Sequence, residues 1–274
     1  MVTVLTQDVV RASSSKSWYG SALRGVVLAI TFVFFVAPLY AGSKFALQDN
    51  NGAFSFSPLG DLTKAQGFSQ SFALSTELTV VTMIGVLFLV VPTVIFIHLR
   101  MPALIRVLEI VSLMPIVFPP IIIVLGFMHE APGALLIWPY HLAPMYLVLT
   151  LPFVVRAIEA GLSSIDVRTL VDAARSLGAS FLTILRRVLL PNLSSAIISS
   201  SALVIAFVYS EYTMAQFQQR PTLPVWIAQF AMSSGHISTA AAMVSLIGAW
   251  LLLSVVLLVD LARTSYRKKR SETL

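Results

Sequence analysis

The sequence predicts an all-α integral membrane protein of about six transmembrane helices. This fold class rests on the composition and on the length of the apolar runs. Of the 274 residues, 57% are hydrophobic and only 11% are charged, whereas soluble domains carry roughly a quarter charged residues. The mean hydropathy is +0.89. With so little charge to cover a surface in water, the composition argues against a soluble enzyme or a soluble binding module.

The apolar runs are continuous rather than alternating, which favours helices over the strands of a membrane barrel. A helix needs roughly 20 apolar residues to cross a bilayer core of about 30 Å. Runs of this kind lie at Gly25–Ala41, Phe72–Ile97, Leu104–Met128, Pro139–Val155, Ser194–Ala215 and Thr239–Leu261. The fourth run is short and contains Pro144 and Pro152, which membrane helices tolerate where neighbours satisfy the freed carbonyls. Pro115, Pro119 and Pro120 are expected to kink the third run.

The positions of Lys and Arg predict the orientation in the membrane. With the N-terminus in the cytoplasm, only Lys44, Lys64 and Arg220 of the 18 basic residues fall outside, as the positive-inside rule requires. The net charge of +6 is then explained by topology and not by nucleic-acid binding. The first run is read as a span, although the small residues Ala41-Gly42-Ser43 that end it would also suit signal-peptide cleavage.

The same orientation divides the chain into three parts. Residues 1–24 are expected to form a cytoplasmic N-terminal lead, and residues 25–262 the transmembrane domain. Residues 263–274 are expected to form a basic cytoplasmic tail. The cluster Arg263–Arg270 in this tail suits contact with anionic lipid headgroups.

The cytoplasmic loop at about residues 156–193 is predicted to hold two short amphipathic helices. Apolar residues recur at helical spacing in the first helix at Leu170, Val171, Ala174 and Leu177, and in the second at Phe181, Ile184, Leu185, Val188 and Leu189. Gly178 is expected to end the first helix with a positive φ angle. Ser180 is expected to cap the second helix, and Pro191 to mark the start of the fifth span.

Such a hairpin has two possible roles. Ala173 and Ala174, expected at its turn, are small enough to let it approach a groove on another protein closely. Alternatively, the helices lie on the lipid surface, with arginines extending to the headgroups. The residue pattern leaves both roles open.

This segment resembles the signature loop of permease subunits of binding-protein-dependent ATP-binding-cassette importers of type I. The family pattern is Glu-Ala-Ala, three residues, Gly, nine residues, then Ile-x-Leu-Pro. The chain has Asp172-Ala173-Ala174, three residues, Gly178, nine residues, then Val188-Leu189-Leu190-Pro191. Asp172 and Val188 are the two departures. Asp172 keeps the charge of the family's glutamate on a shorter side chain.

Two further segments extend the resemblance over about residues 72–261. The proline-rich run from Met114 to Pro120 resembles the third span of the spermidine/putrescine-type branch. Ser210-Glu211-Tyr212 resembles the acidic-aromatic motif at the end of that branch's fifth span.

The resemblance implies a permease in a bacterial plasma membrane with both termini in the cytoplasm. Its implied partners are a cytoplasmic ATPase dimer, a second permease in a heterodimer, an extracytoplasmic substrate-binding protein and membrane lipid. The implied ATPase-coupling residues are Asp172, Ala173, Ala174, Arg175, Gly178 and Pro191.

The chain itself is not expected to be an enzyme. Its sequence has no Gly-x-x-x-x-Gly-Lys-Ser/Thr motif, so ATP and Mg²⁺ are expected to bind to the partner ATPase. The four histidines lack metal-ligand spacing. Neither a cofactor nor a metal is therefore predicted for this chain.

The candidate substrate-pathway residues are Glu211, Tyr212, Ser210 and Glu77. A carboxylate beside aromatic faces within a span suits a cationic solute. The alternative for Glu211 is an ion pair with Arg220 or a helix end at the water interface, and for Glu77 a solvated helix start.

A third acidic residue, Glu109, is expected to make a structural pair with Arg106 or Arg100.

The resemblance favours a polyamine-like solute, with phosphonate, thiamine or a ferric complex as alternatives. A stand-alone secondary transporter is the competing class, for which broken helices or an inverted repeat are expected. No repeat stands out in the sequence, and the Asp172–Pro191 loop would have no purpose in such a transporter.

Overall fold

The computed structural model describes residues 2–49 and 51–272, and within them all regular elements are helical. The helices in chain order are α1 (Val2–Ala46), α2 (Ser57–Leu62), α3 (Phe68–Gly85), α4 (Val91–Arg100), α5 (Ile105–Val117), α6 (Pro120–Glu130), α7 (Gly133–Ile137), α8 (Leu142–Ser163), α9 (Val167–Ser176), α10 (Phe181–Ile184), α11 (Leu190–Asn192), α12 (Ser194–Ser210), α13 (Thr213–Phe217), α14 (Leu223–Phe230) and α15 (Gly235–Glu272). A 3₁₀ turn, Pro102–Leu104, precedes α5. Wider π-helical turns, Val86–Val90 and Leu185–Leu189, join α3 to α4 and α10 to α11.

The predicted all-α class is confirmed, and several of the helices are long and apolar enough to cross a membrane, as in a multi-pass membrane protein. Among the described residues, the four helical segments long and apolar enough to cross a membrane alone are Gly20–Ala46, Phe68–Arg100, Leu142–Ser163 and Gly235–Leu258. Two bent pairs could each add one more span. They are Pro102–Val117 with Pro120–Glu130 and Phe181–Asn192 with Ser194–Ser210. The described residues thus hold four to six spans, and the predicted number is the upper limit.

Several predicted boundaries need correction. The fourth span was expected to end at Val155, but α8 continues for two further turns to Ser163. The non-helical link to α9 therefore begins after Ser163, beyond the predicted start of the loop at Arg156. The fifth run was expected to reach Ala215, but α12 ends at Ser210 and a separate short helix follows.

The prolines of the third run break the helix rather than kink it. α5 continues through Pro115, but the chain is extended at Phe118 (φ −87°, ψ 125°) and Pro119 (φ −55°, ψ 138°). A residue before proline is driven out of the helical region by the following ring, and Phe118 and Pro119 both precede a proline. As a result α5 and α6 meet at 100°.

Two other prolines are accommodated without a break. Pro92 and Pro191 each lie two residues after a π-helical turn. A proline ring clashes with the carbonyl group four residues earlier in a regular helix, and that residue lies within the π turn in both cases. We attribute these two wide turns to relief of that clash.

Helix α8 lies at the centre of the bundle, where it packs against α3, α4, α5 and α12. Its contact with α12 depends on Gly161. A β-carbon added at Gly161 would lie 2.5 Å from the β-carbon of Ala196, so the two helices approach closely only because both residues are small.

The outer helices are α1 and α15, which pack against each other. No residue in the most apolar window of α1 is buried. Large apolar side chains on both helices are exposed, including Phe32 and Phe34 on α1 and Trp250 on α15. These faces are suited to lipid.

Candidate functional site

The predicted cytoplasmic loop folds as a helical hairpin, which runs from α9 to α11 (residues 167–192). Its first helix is capped by Asp166, whose carboxylate accepts hydrogen bonds from the Thr169 backbone N–H at 3.2 Å and the Thr169 hydroxyl at 2.7 Å. The side-chain bond lowers the pKa of Asp166 most, and the backbone bond lowers it further. The sequence reading missed this cap, although an Asp directly before an apolar-periodic run is a helix-start signal.

The turn of the hairpin is built around Gly178, which has a φ of +77°. The Gly178 N–H donates to the Arg175 carbonyl at 2.8 Å, and the Ala179 N–H donates to the Ala174 carbonyl at 3.1 Å. This pair of bonds is a Schellman motif, which satisfies the last carbonyls of a helix and favours glycine at the left-handed position. The predicted positive φ is confirmed.

Ser180 caps the second helix, as predicted, by accepting a hydrogen bond from the Thr183 N–H at 3.4 Å. The chain reverses between Leu177 and Ala179. Ala173 and Ala174 therefore lie inside α9, and their predicted position at the turn is wrong.

The apolar face of the hairpin is buried against the chain's own bundle. Val167 and Val171 of α9, together with Ile184 and Leu189 of the second helix, belong to the same buried cluster as Ile158 of α8. This burial confirms the predicted amphipathic pattern. It also argues against a hairpin that lies with its apolar face on lipid, because that face already has a protein partner.

Leu177 departs from the pattern. It was placed on the apolar face of the first helix, yet its side chain is 88% exposed. Leu177 directly precedes the left-handed glycine, where the chain leaves the helical path and carries the side chain away from the core.

The opposite face of the hairpin carries most of the motif residues. Asp172, Ala173, Arg175 and Gly178 are exposed, whereas Ala174 is half-buried. The Asp172 carboxylate lies 3.9 Å from the Arg175 guanidinium and is 75% exposed, so this pair adds little stability. Pro191 lies in α11, directly after the π turn.

Glu211 lies in the segment that joins α12 to α13. Its carboxylate accepts hydrogen bonds from the backbone N–H groups of Met214 at 2.7 Å and Ala215 at 3.3 Å. Glu211 therefore caps α13.

The predicted pair between Glu211 and Arg220 is absent from the ion pairs of the described residues. Arg220 instead places Nη2 3.3 Å from His141 Nδ1. The alternative in which Glu211 marks a helix end is consistent with the structure, since α12 ends at Ser210. A role for Glu211 in substrate passage stays a prediction.

The other substrate-pathway candidates are near the same end of the bundle. Glu77 is exposed on α3. The negative charge of its carboxylate raises the pKa of Tyr140, which lies two residues before the start of α8. Ser210 donates to the Phe207 carbonyl at 3.1 Å, and Tyr212 is exposed.

Glu109 makes its ion pair across helices. Its carboxylate lies 3.8 Å from the Arg156 guanidinium of α8. The predicted partners, Arg106 and Arg100, are wrong, because packing of α5 on α8 brings a more distant arginine closer than those on the same stretch of chain.

The hairpin combines a buried apolar face with an exposed polar one. Its exposed face presents small, polar and charged groups on two helices with fixed ends. Among the described residues, no group of three His, Cys, Asp or Glu side chains is placed to hold a metal ion. In comparisons with known proteins, neither a family model nor a curated protein matches this chain.

Proposed function

We propose that this chain is the membrane-spanning subunit of an ATP-driven importer, and that its hairpin docks on a cytoplasmic ATPase. The observation that carries the proposal is the division of the hairpin into two faces. The residues of the Asp-Ala-Ala and Gly spacing are mostly exposed, while the apolar face packs into the chain's own core. A surface held in this way is available to a second protein.

The packing of the hairpin supports a mechanical role. Its buried face shares one cluster with Ile158 and Leu162 at the end of α8, and with Leu193 directly before α12. Close-packed side chains transmit displacement rather than absorb it. A partner that moves the hairpin when it binds ATP would therefore move α8 and α12 as rigid bodies.

The rest of the proposed assembly follows from the family resemblance. The ATPase dimer supplies the ATP and Mg²⁺ sites, and a second, different permease completes the path. An extracytoplasmic binding protein delivers a small solute, with a polyamine-like cation as the first candidate. Glu77 is the more accessible acidic residue for such a cation, because Glu211 is half-buried and bonded to backbone N–H groups.

The proposal is tested by purifying the tagged chain from its native membranes and measuring the ATPase activity that accompanies it. We expect an ATP-binding-cassette ATPase, identified by mass spectrometry, to co-purify. Leu177→Glu should lower that activity at least tenfold while thermal stability in detergent is unchanged, because Leu177 is 88% exposed.

Met232→Glu is the matched control. Met232 is 92% exposed and lies between α14 and α15, away from the hairpin in sequence. It should leave the co-purified activity unchanged. Solute flux driven by an ion gradient in vesicles that contain this chain alone would contradict the proposal and favour a secondary transporter.

A further inference from the structure

An open crevice of about 390 Å³ lies between α5, α8 and α12. Its lining includes Leu113, Ile116, Pro152, Phe153, Arg156 and Leu203. Of the described residues that line it, Arg156 alone is charged, and the rest are apolar. The crevice therefore combines an apolar length with one cationic end.

The cationic end also holds carboxylates. The Arg156 guanidinium is 3.8 Å from the Glu109 carboxylate, and the two side chains are 67% and 35% exposed. Glu159, one helical turn from Arg156 on α8, is buried. Neither the Arg156 nor the Glu109 side chain is buried, so both can still contact a molecule outside the bundle.

The apolar lining residues Ile116 and Leu203 lie about the thickness of one leaflet from the ends of the helices that carry them. At 1.5 Å per helical residue, Ile116 lies about 17 Å along α5 from Ile105, and Leu203 lies about 14 Å along α12 from Ser194. Half of a bilayer core is about 15 Å. Arg156 is about 10 Å from the end of α8 at Ser163, a distance that a long arginine side chain reduces by extending toward the headgroups.

We propose that this crevice binds one phospholipid whose zwitterionic headgroup carries a primary ammonium, as in phosphatidylethanolamine. The phosphate binds Arg156, the ammonium donates to Glu109, and an acyl chain lies against the apolar residues between Leu113 and Leu203. The Glu109 carboxylate beside Arg156 disfavours an anionic headgroup. A quaternary ammonium, as in phosphatidylcholine, has no N–H to donate. This site is independent of the transport proposal, since it requires only that the chain lies in a membrane.

Native mass spectrometry of the purified full chain tests the site. The chain is titrated with phosphatidylethanolamine, phosphatidylcholine and phosphatidylglycerol that share the same acyl chains. We expect phosphatidylethanolamine to bind most tightly. Arg156→Gln should weaken it about tenfold, the loss expected for one hydrogen bond to a charged group. Glu109→Gln should remove its advantage over phosphatidylcholine. Equal binding of all three lipids, or preference for phosphatidylglycerol, would overturn the proposal.

A steric variant leaves the charged groups intact. Leu203→Trp places a larger side chain in the crevice, whereas Leu252→Trp on α15 is the matched control, because the two leucines are 38% and 39% exposed. Only Leu203→Trp should reduce lipid binding. If the crevice is covered by a second protein chain, Leu203→Trp would change the oligomeric mass without changing bound lipid, and that result would also overturn the proposal.

Discussion

The hairpin and the segment after α12 each contain an acidic residue within a short motif, but they use that residue differently. Asp172 is 75% exposed, and its one ion pair is a long contact with Arg175. Glu211 is half-buried and accepts two backbone hydrogen bonds from α13. An acid whose oxygen atoms are already bonded within the chain stabilises the fold, whereas an exposed acid is free to meet a partner. Burial and bonding separate these roles, and the motifs alone do not.

The largest expected effect concerns which side of the membrane each region faces. Cysteine introduced at Thr183 in the hairpin should react with an impermeant thiol reagent only after the membrane is permeabilised. Cysteines at Ser57 and Ser234 should react in intact cells. The sequence contains no cysteine, so the reagent labels only the introduced residue. The reverse pattern would place the hairpin outside and exclude docking on a cytoplasmic ATPase.

The second prediction tests the structural role of Glu211. Glu211→Ala leaves the Met214 and Ala215 N–H groups without their acceptor, so we expect a loss of about 3–6 kcal/mol in stability, the cost of two hydrogen bonds to a charged group. Glu211→Gln keeps one acceptor oxygen and should lose less. Thermal unfolding in detergent measures both.

Arg220→Gln provides the comparison. Because Arg220 contacts His141 and not Glu211, its effect on stability should add to that of Glu211→Ala within about 0.5 kcal/mol. Strong non-additivity of the two stability changes would be evidence for an ion pair between Glu211 and Arg220. Well-folded Glu211→Gln protein that slows solute uptake would, in addition, support a pathway role.

The third prediction concerns the hairpin turn. Gly178→Val should cost about 1–3 kcal/mol, because a β-branched residue fits the left-handed region poorly. A β-carbon at this position meets no atom within 4 Å, so the strain is confined to the backbone. Substrate-stimulated ATPase activity should fall while the protein still inserts into the membrane.

Two glycines serve as controls for this prediction. Gly52 has a φ of +79° and equally open surroundings, whereas Gly248 has open surroundings without a positive φ. Gly52→Val should lose stability as Gly178→Val does, but its ATPase activity should still be stimulated by substrate. Gly248→Val should keep both its stability and this stimulation. Normal coupling in Gly178→Val would remove the hairpin from its proposed role.

The smallest effect is expected at the cap of α9. Asp166→Ala should lower the thermal stability slightly near neutral pH, and Asp172→Ala, in the same helix but without a capping bond, should not. The pKa of Asp166 is lowered in the folded protein, so its contribution is fully present above the unfolded pKa of about 3.9. It is lost as the pH falls through the lower folded pKa. The difference between wild type and Asp166→Ala should therefore disappear in strong acid, and a difference that persists there would contradict the cap.

The features read correctly from the sequence are those set by neighbouring residues. The positive φ of Gly178 and the cap at Ser180 depend on contacts within a few residues of the chain, and the amphipathic pattern of the hairpin depends on helical periodicity. The cap at Asp166 was not predicted, although an Asp directly before an apolar-periodic run is a signal of the same local kind. The break at Pro119 and Pro120 was also locally encoded, since each proline restricts the residue before it, and a kink was the wrong expectation.

Composition and apolar length by themselves predicted an all-α membrane protein, and helical periodicity with local stop and cap signals predicted a helical hairpin in one loop. The tertiary structure decided which groups meet: Glu109 with Arg156, Glu211 with the N-terminus of α13, and Arg220 with His141. The physical reason is one of range. Backbone sterics and periodicity act within a turn or two of helix, whereas the partner of a charged side chain depends on which helices pack together. That choice is made by close contacts between distant residues, such as Gly161 with Ala196.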